Sequence, residues 1–245
     1  MKGSVWGVVV LAFCGVGITL AFWFYKQDEG RARKSALWHR QVATRALAEH
    51  VAKQYPGARA LVVSNPFTQK KGQPREIYEF EEAGVAGLRE GFGKTISFQV
   101  VFPELRPEFF SDPRSVHVDP KTTTPLSYLV AENAFVALAE QHPDCAVIVS
   151  LIGLPVSLTR QPGWRNPAGP KYALLLPDWR IVGDKRAVQS AVKSEKIVAA
   201  VLNKPGAPPE SEAAVTDPKA EFARRFLLVT KDNIDRLLQT YPQVF

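Results

Sequence analysis

Ten polar and aromatic residues follow closely after short apolar runs of the sequence, where a binding site could form. They are Asn65, Phe67, Glu104, Arg106, Ser157, Arg160, Asp178, Trp179, Arg180 and Lys204. Aromatic rings beside convergent polar groups are typical of a small-molecule pocket. Taken singly, each residue also fits an ordinary solvated loop edge. The set as a whole therefore predicts a ligand-binding rim, with no catalytic residue among its members.

Other chemistry has little support in the sequence. The run Gly93-Lys94-Thr95 resembles a phosphate-binding loop, but five residues separate Gly87 from Gly93 where four are required, and the glycines close a predicted helix. The histidines share no metal-ligand spacing, and Cys145 precedes a buried run. We expect no metal and no cofactor. One enzymatic alternative remains, a hydrolase that uses Asp178 beside a serine of the rim.

Six apolar, β-rich runs alternate with helical patterns after residue 57. The runs span residues 60–64, 95–102, 146–151, 172–176, 197–202 and 226–230, and the helical patterns span 75–90, 126–141, 185–194 and 231–241. Continuous apolar runs of this length are typical of strands buried on both faces, as in parallel sheets. The pattern predicts an α/β three-layer sandwich around a mostly parallel six-stranded sheet.

A proline follows closely after five of these six predicted strands. They are Pro66, Pro103, Pro155, Pro177 and Pro205. Parallel strands would place all of these prolines at the carboxyl edge of the sheet, where open α/β folds bind ligands. Proline also ends a strand simply because it cannot donate to the ladder, so both interpretations stay open.

The first part of the chain carries an uncharged apolar run from Val5 to Tyr25. A helix needs about 20 apolar residues to cross a bilayer, and Trp6, Trp23 and Tyr25 stand at the interfacial positions. Bulky residues occupy the place where a signal peptidase needs small ones, which favours an uncleaved anchor over a signal peptide. We therefore expect a single-pass membrane protein in contact with the lipid bilayer through this run.

Two features of the sequence predict opposite orientations of this anchor. Lys26, Arg31, Arg33 and Lys34 come after the run, and a literal positive-inside count places the domain in the cytoplasm. The very short segment before the run is typical of a signal anchor that exports the rest of the chain. We expect the soluble domain to be extracytoplasmic.

The remaining composition fits one globular domain behind the anchor. Residues 1–25 form the predicted anchor, residues 26–56 a juxtamembrane or stalk helix, and residues 57–245 the α/β domain. The apolar stripe of the stalk helix could instead pack on the domain as its first helix. The net charge of +7 is spread along the chain, without a stripe of bases and stacking aromatics, so no nucleic-acid partner is expected.

Three features follow one another at the start of the domain: ALVVSNPF at residues 60–67, a helix end at residues 87–93 and ISFQVVF at residues 96–102. Their resemblance is to the opening βαβ unit of class I periplasmic binding proteins, and it extends more loosely to the runs at 146–151 and 172–176. It implies that Asn65 and Phe67, after the first strand, contact a sugar or a similar ligand. The chain has strands for about one lobe, whereas the family closes two lobes on its ligand.

These observations predict a membrane-anchored α/β domain that binds a small ligand or a protein partner at the carboxyl edge of its sheet. It would act as a sensor or as an accessory subunit of an envelope assembly. The alternatives are the membrane-tethered hydrolase and a purely structural scaffold, in which the anchor pairs with other membrane proteins and the domain serves as a spacer.

Overall fold

The structure is a computed structural model that describes residues 30–209 and 212–245. The predicted anchor at residues 1–25 lies outside the described residues. Within the described part of the chain, no helix combines the length and apolarity that a bilayer span requires.

Six strands form one sheet, as the sequence predicts. They are β1 (Arg59–Val63), β2 (Ser97–Val101), β3 (Cys145–Ser150), β4 (Lys171–Leu175), β5 (Ile197–Asn203) and β6 (Phe226–Val229). Their order across the sheet is β2-β1-β3-β4-β5-β6. Four of the pairings are parallel, and only β6 runs antiparallel, to β5. The prediction of a mostly parallel six-stranded sheet is confirmed.

Helices connect the strands and cover both faces of the sheet. They are α1 (residues 30–54), α2 (Arg75–Phe92), α3 (Pro107–Ser111), α4 (Leu126–Leu129), α5 (Ala134–Gln141), α6 (Pro162–Arg165), α7 (Lys185–Lys193), α8 (Pro218–Arg225) and α9 (Ile234–Thr240). One apolar core packs α1 and α2 on one face, and the other packs α5, α7 and α9 on the opposite face. Because successive side chains of a strand point to opposite faces of the sheet, the strands contribute residues to both cores. The two helical layers and the sheet between them form the predicted three layers.

Helix α1 is part of the domain core. Leu47 and Val51 have no solvent exposure and belong to the same core as the buried side chains of β1 and β3. Since β1 begins a few residues after α1 ends, α1 runs back from the carboxyl edge of the sheet to its amino edge. Its first turns therefore project at the carboxyl edge, where the predicted rim lies.

Small residues allow α1 and α2 to approach closely. A β-carbon at Gly87 would lie 2.2 Å from the carbonyl oxygen of Gln41, and one at Gly91 would lie 2.3 Å from that of Arg45. No real side chain fits at such distances, so these two glycines set the separation of the helices.

Two predicted helices differ from the observed ones. The pattern at residues 126–141 forms two helices because Val130 leaves the helix to make an antiparallel bridge with Leu105. The last helix begins at Ile234, later than predicted, because the Asn233 side chain accepts from the backbone N–H of Thr230 and holds a turn there.

Candidate functional site

The carboxyl edge of the sheet has a topological switch point between β1 and β3. From β1 the chain proceeds outward to β2 on one side, whereas β3, β4 and β5 extend on the other side. Open α/β sheets leave a crevice at such a point, and it is where their ligands usually bind.

Charged side chains of this protein fill the crevice at the switch point. Ser64, directly after β1, donates its hydroxyl hydrogen to Glu81 Oε2 at 2.6 Å, and Arg40 donates to Glu81 Oε1 at 2.5 Å. All three side chains are buried. The Arg40 guanidinium also lies 4.1 Å from the ring centre of Phe80, and burial lowers its pKa against the opposing effect of Glu81. The switch point is therefore closed by an internal ion pair.

A cavity of about 210 Å³ lies beside this ion pair, over the ends of β4 and β5. Its floor comes from Leu175, Leu176 and Asn203, and one wall comes from α1 through His39 and Arg40. The remaining lining residues are Ala36, Ala43, Phe80, Ala207, Pro208, Arg225 and Phe226. The lining thus combines aliphatic side chains, two phenylalanine rings, the amide of Asn203 and the basic side chains of His39, Arg40 and Arg225.

Glu221 contacts two of the residues that line this cavity, His39 and Arg225. Its side chain is fully buried and accepts from Arg225 Nε at 2.5 Å, from Arg224 Nε at 3.1 Å and from the backbone N–H of Val215 at 2.9 Å. His39 Nε2 lies 2.9 Å from the same carboxylate. Burial would raise the pKa of Glu221, but the hydrogen bonds outweigh it and lower the pKa to about 2. The carboxylate is therefore ionised at neutral pH and balances the arginines.

The predicted residues after β1 have different surroundings. Asn65 accepts from the N–H of Phe67 at 2.9 Å and caps a short 3-10 turn. The Phe67 ring packs edge-on against Phe109, with 5.7 Å between the ring centres. Both residues are half-buried at the carboxyl edge, on the β2 side of the switch point.

Three other predicted residues meet around the turn that comes after Val130. Ser157 donates to the carbonyl oxygen of Glu132 at 3.1 Å, and Arg106 lies 3.7 Å from the Glu132 carboxylate. The carbonyl oxygen of Glu104 accepts from Ala131 at 2.9 Å. The structure brings these residues together as supports of a backbone turn.

Asp178 and Arg180 form a separate group. Asp178 accepts from Thr122 at 2.7 Å and from Arg180 at 2.6 Å, and Arg180 also pairs with Asp119 at 2.8 Å. Burial would raise the pKa of Asp178, but these hydrogen bonds hold it below its usual range. The group ties the segment around residue 120 to the end of β4. Asp178 contacts a threonine and an arginine here, so the hydrolase alternative gains no serine partner from this geometry.

The three remaining predicted residues, Trp179, Lys204 and Arg160, lie in surroundings of their own. Trp179 is buried and stacks on Phe245 at 5.9 Å. Lys204 donates to the carbonyl oxygen of Ala223 at 2.8 Å, and Arg160 is exposed. All ten predicted residues are described, and none of them lines the cavity over β4 and β5.

The cavity residues were missed because most of them lie outside the strand ends. His39 and Arg40 belong to α1, which the sequence predicts either as a stalk or as the first helix of the domain, and Arg225 belongs to α8. The sequence does contain a feature that points to these residues. His39 and Arg40 fall on the helix face whose apolar stripe continues through Ala43 and Leu47. Charged residues on a buried stripe indicate internal partners.

Metal ligands do not cluster in the part of the chain that the structure describes. No group of three or more His, Cys, Asp or Glu side chains there is placed to hold an ion. Cys145 is half-buried at the start of β3, and burial raises the pKa of its thiol.

Comparison with known proteins finds similarity only among solved structures. No protein-family model matches the chain, and no curated protein matches it. A carbohydrate transporter from Acidothermus cellulolyticus in complex with myo-inositol matches at a TM-score of 0.46 and 14% identity, over 84% of this chain and 62% of that one. A solute-binding protein from Burkholderia graminis in complex with D-arabinose matches at 0.43 and 14%, over 80% and 61%.

A third structure is a periplasmic solute-binding protein from Actinobacillus succinogenes with bound D-allose, at a TM-score of 0.43 and 10% identity, over 80% of this chain and 62% of that one. These proteins are of the family that the sequence resembles, and this chain spans about 62% of their length. With TM-scores below 0.5, the overlap is too loose to transfer ligands or residue roles to this chain.

Proposed function

We propose that this chain is a membrane-tethered binding domain that holds a small, neutral, polar ligand in the cavity over β4 and β5. The observation that carries the proposal is the cavity itself, at the carboxyl edge and between α1 and the segment after β5. Its volume equals that of about seven waters, so the ligand is small. Binding would make the domain a sensor or an accessory subunit of an envelope assembly.

The charge balance of the cavity favours a neutral ligand. Arg40 is paired with Glu81, and Arg225 is paired with Glu221, so each arginine already has a buried counterion. An anionic ligand would compete with these carboxylates, and breaking a buried pair costs about 3–5 kcal/mol. The Asn203 amide can donate and accept hydrogen bonds with the ligand, and the Phe80 ring can contact an apolar face of the ligand. A polyol or a small amide suits this lining.

Ligand binding can be tested by calorimetry and thermal unfolding of the full-length chain in detergent. The panel would contain monosaccharides, which include ligands of the similar solved structures, and small amides and carboxylates. A ligand at about 100 times its Kd would stabilise the domain by about 2.7 kcal/mol. We expect a neutral polar compound to stabilise the protein and the carboxylates to have no effect.

A variant that fills the cavity provides the decisive control. Ala207 lines the cavity, whereas Ala213 is exposed in the same segment and does not line it. We expect Ala207→Leu to abolish binding of any compound found with the wild type and Ala213→Leu to retain it. Unchanged binding by a folded Ala207→Leu variant would place the ligand elsewhere and reject this cavity as the site.

The membrane tether is the second part of the proposal. The run from Val5 to Tyr25 would anchor the chain, with the domain extracytoplasmic. A Thr216→Cys substitution, made in a chain without Cys14 and Cys145, introduces one exposed thiol. Labelling of intact cells by an impermeant maleimide would support the extracytoplasmic placement. Labelling only after lysis would place the domain in the cytoplasm and contradict it.

A further inference from the structure

An exposed aromatic patch lies at the carboxyl edge of the sheet, on the β2 side. The patch consists of Phe67, Lys70, Tyr78, Phe109 and Phe110. The Phe109 and Phe110 ring centres are 5.8 Å apart, and Lys70 Nζ lies 4.3 Å from the centre of the Phe110 ring. The Phe110 residue is 60% exposed and Tyr78 is 36% exposed. Phe67 and Phe109 are half-buried and support the exposed Phe110 ring from one side. A partly exposed cluster of contacting rings marks an interaction surface more than scattered single residues do.

This patch lies on the same edge as the first turns of α1. Arg33 of α1 is 3.1 Å from Glu76, in the first turn of α2. In the same turn, Tyr78 donates its hydroxyl hydrogen to the carbonyl oxygen of Lys70 at 2.6 Å. Two short contacts therefore connect the start of α1 to the patch.

The apolar run of the sequence ends close to this edge. Eight positions separate Tyr25 from Arg33. Eight residues span about 12 Å as a helix and at most about 29 Å when extended. A chain anchored through that run would thus hold the carboxyl edge within a short distance of the bilayer surface.

We propose that the aromatic patch docks on an anionic lipid bilayer, so that the carboxyl edge of the sheet faces the membrane. The proposal rests on the membrane tether of the proposed function. The chemistry fits a lipid interface because phenylalanine rings enter the boundary between headgroups and acyl chains, and a tyrosine ring settles at headgroup depth. Lysine reaches the phosphates while its stem covers apolar surface. Lys71 is exposed beside the patch and adds positive charge, and the exposed Arg75 is paired with Glu79 at 2.6 Å. The exposed Glu108 and Asp112 oppose it.

The cavity and the patch use different parts of this edge. The cavity lies over β4 and β5, and the patch lies beyond β1 and β2, with the switch point between them. Docking through the patch would therefore turn the cavity towards the membrane without using any of the residues that line it. The two proposals can be tested separately for this reason.

The test uses the full-length chain, without Cys14 and Cys145, reconstituted into vesicles of phosphatidylcholine with or without phosphatidylglycerol. An environment-sensitive fluorophore is placed at Ser111→Cys, beside Phe110, or at Glu140→Cys, on α5 near the amino edge; both positions are exposed. Lipids carrying a nitroxide at headgroup depth serve as the quencher. We expect strong quenching at position 111 in anionic vesicles and none at position 140.

Substitutions then assign the quenching to the patch. Replacing Lys71 by Ala should reduce the docked-to-undocked ratio about fivefold, because a lysine near an anionic surface contributes about that factor. The double substitution Phe109→Ser and Phe110→Ser should abolish quenching, whereas Val215→Ser, at another exposed apolar residue, should leave it unchanged. Glu108→Lys should increase it.

The outcomes separate this proposal from the tether on which it depends. Flotation of the chain with vesicles after alkaline extraction tests the tether alone. Chains that float while position 111 stays as unquenched as position 140 would overturn the docking and leave the tether intact. Chains that do not float would overturn both. Quenching at position 111 that the phenylalanine substitutions do not change would also overturn the patch as the contact.

Discussion

Substitution of Glu221 by Gln should destabilise the domain in a manner that depends on pH. The Glu221 carboxylate has no solvent exposure and accepts from Arg224, Arg225 and the Val215 backbone, with His39 also within 2.9 Å. Glutamine keeps the shape but removes the charge, and its NH₂ group cannot accept from an arginine. The variant therefore leaves buried arginine charge without its counterion.

The size of the effect is set by the pKa of Glu221. The pKa falls from 4.5 to about 2 in the folded protein. Each pKa unit corresponds to about 1.4 kcal/mol, so the charged form contributes about 3 kcal/mol at neutral pH. Because the folded pKa is depressed, this contribution is fully present above about pH 4.5 and is lost as the pH falls towards 2. At pH 3 about 1.5 kcal/mol should remain.

Urea titration of the full-length chain in mild detergent, followed by far-UV circular dichroism, measures this difference. Glu212→Gln is the matched control, because Glu212 pairs with the same Arg224 at 2.7 Å but is half-exposed. That pair should be worth less than about 1 kcal/mol. The reasoning is refuted if Glu221→Gln costs no more than Glu212→Gln, or if its cost is the same at pH 7 and pH 3.

Two further predictions test the packing of α1. Gly87→Ala should destabilise the domain by about 3 kcal/mol or prevent folding, because its β-carbon would overlap the α1 backbone, whereas Gly163→Ala has open space and should have little effect. Equal unfolding midpoints for these two variants would contradict the close approach. Leu47→Ala should cost about 2–5 kcal/mol and the exposed Lys53→Ala less than about 0.5 kcal/mol, by the same urea titration. A small effect of Leu47→Ala would show that α1 is a stalk outside the cooperative unit.

The strands could be predicted from the sequence because each is an apolar run that the two cores bury on both sides. In β1, Leu61 and Val63 enter one core and Ala60 and Val62 enter the other. A continuous run is the only pattern compatible with two buried faces, so little competes with the strand assignment. The order of the strands and the antiparallel β6 depend on the connections between them, which periodicity does not encode.

The cavity could not be predicted because tertiary contacts create it. Arg40 and Glu81 are 41 positions apart, and His39 and Glu221 are 182 apart. Such pairs form only when α1 crosses the sheet and meets α2 and α8. A search at the strand ends selects the residues that directly follow each strand in the chain. In this protein most of those residues hold loops and turns in place through their hydrogen bonds.

The position of α1 connects the parts of the molecule that are proposed to act together. Leu47 of α1 lies in the core, and Ala36 and Arg40 wall the cavity. Residue 30, the first that is described, lies ten positions before Arg40, about 15 Å along a helix. A ligand in the cavity would contact the same helix that leads towards the apolar run. With the proposed anchor, a change in cavity occupancy would need no relay through the sheet to reach it, because α1 walls the cavity and its first described residue lies five positions after the apolar run.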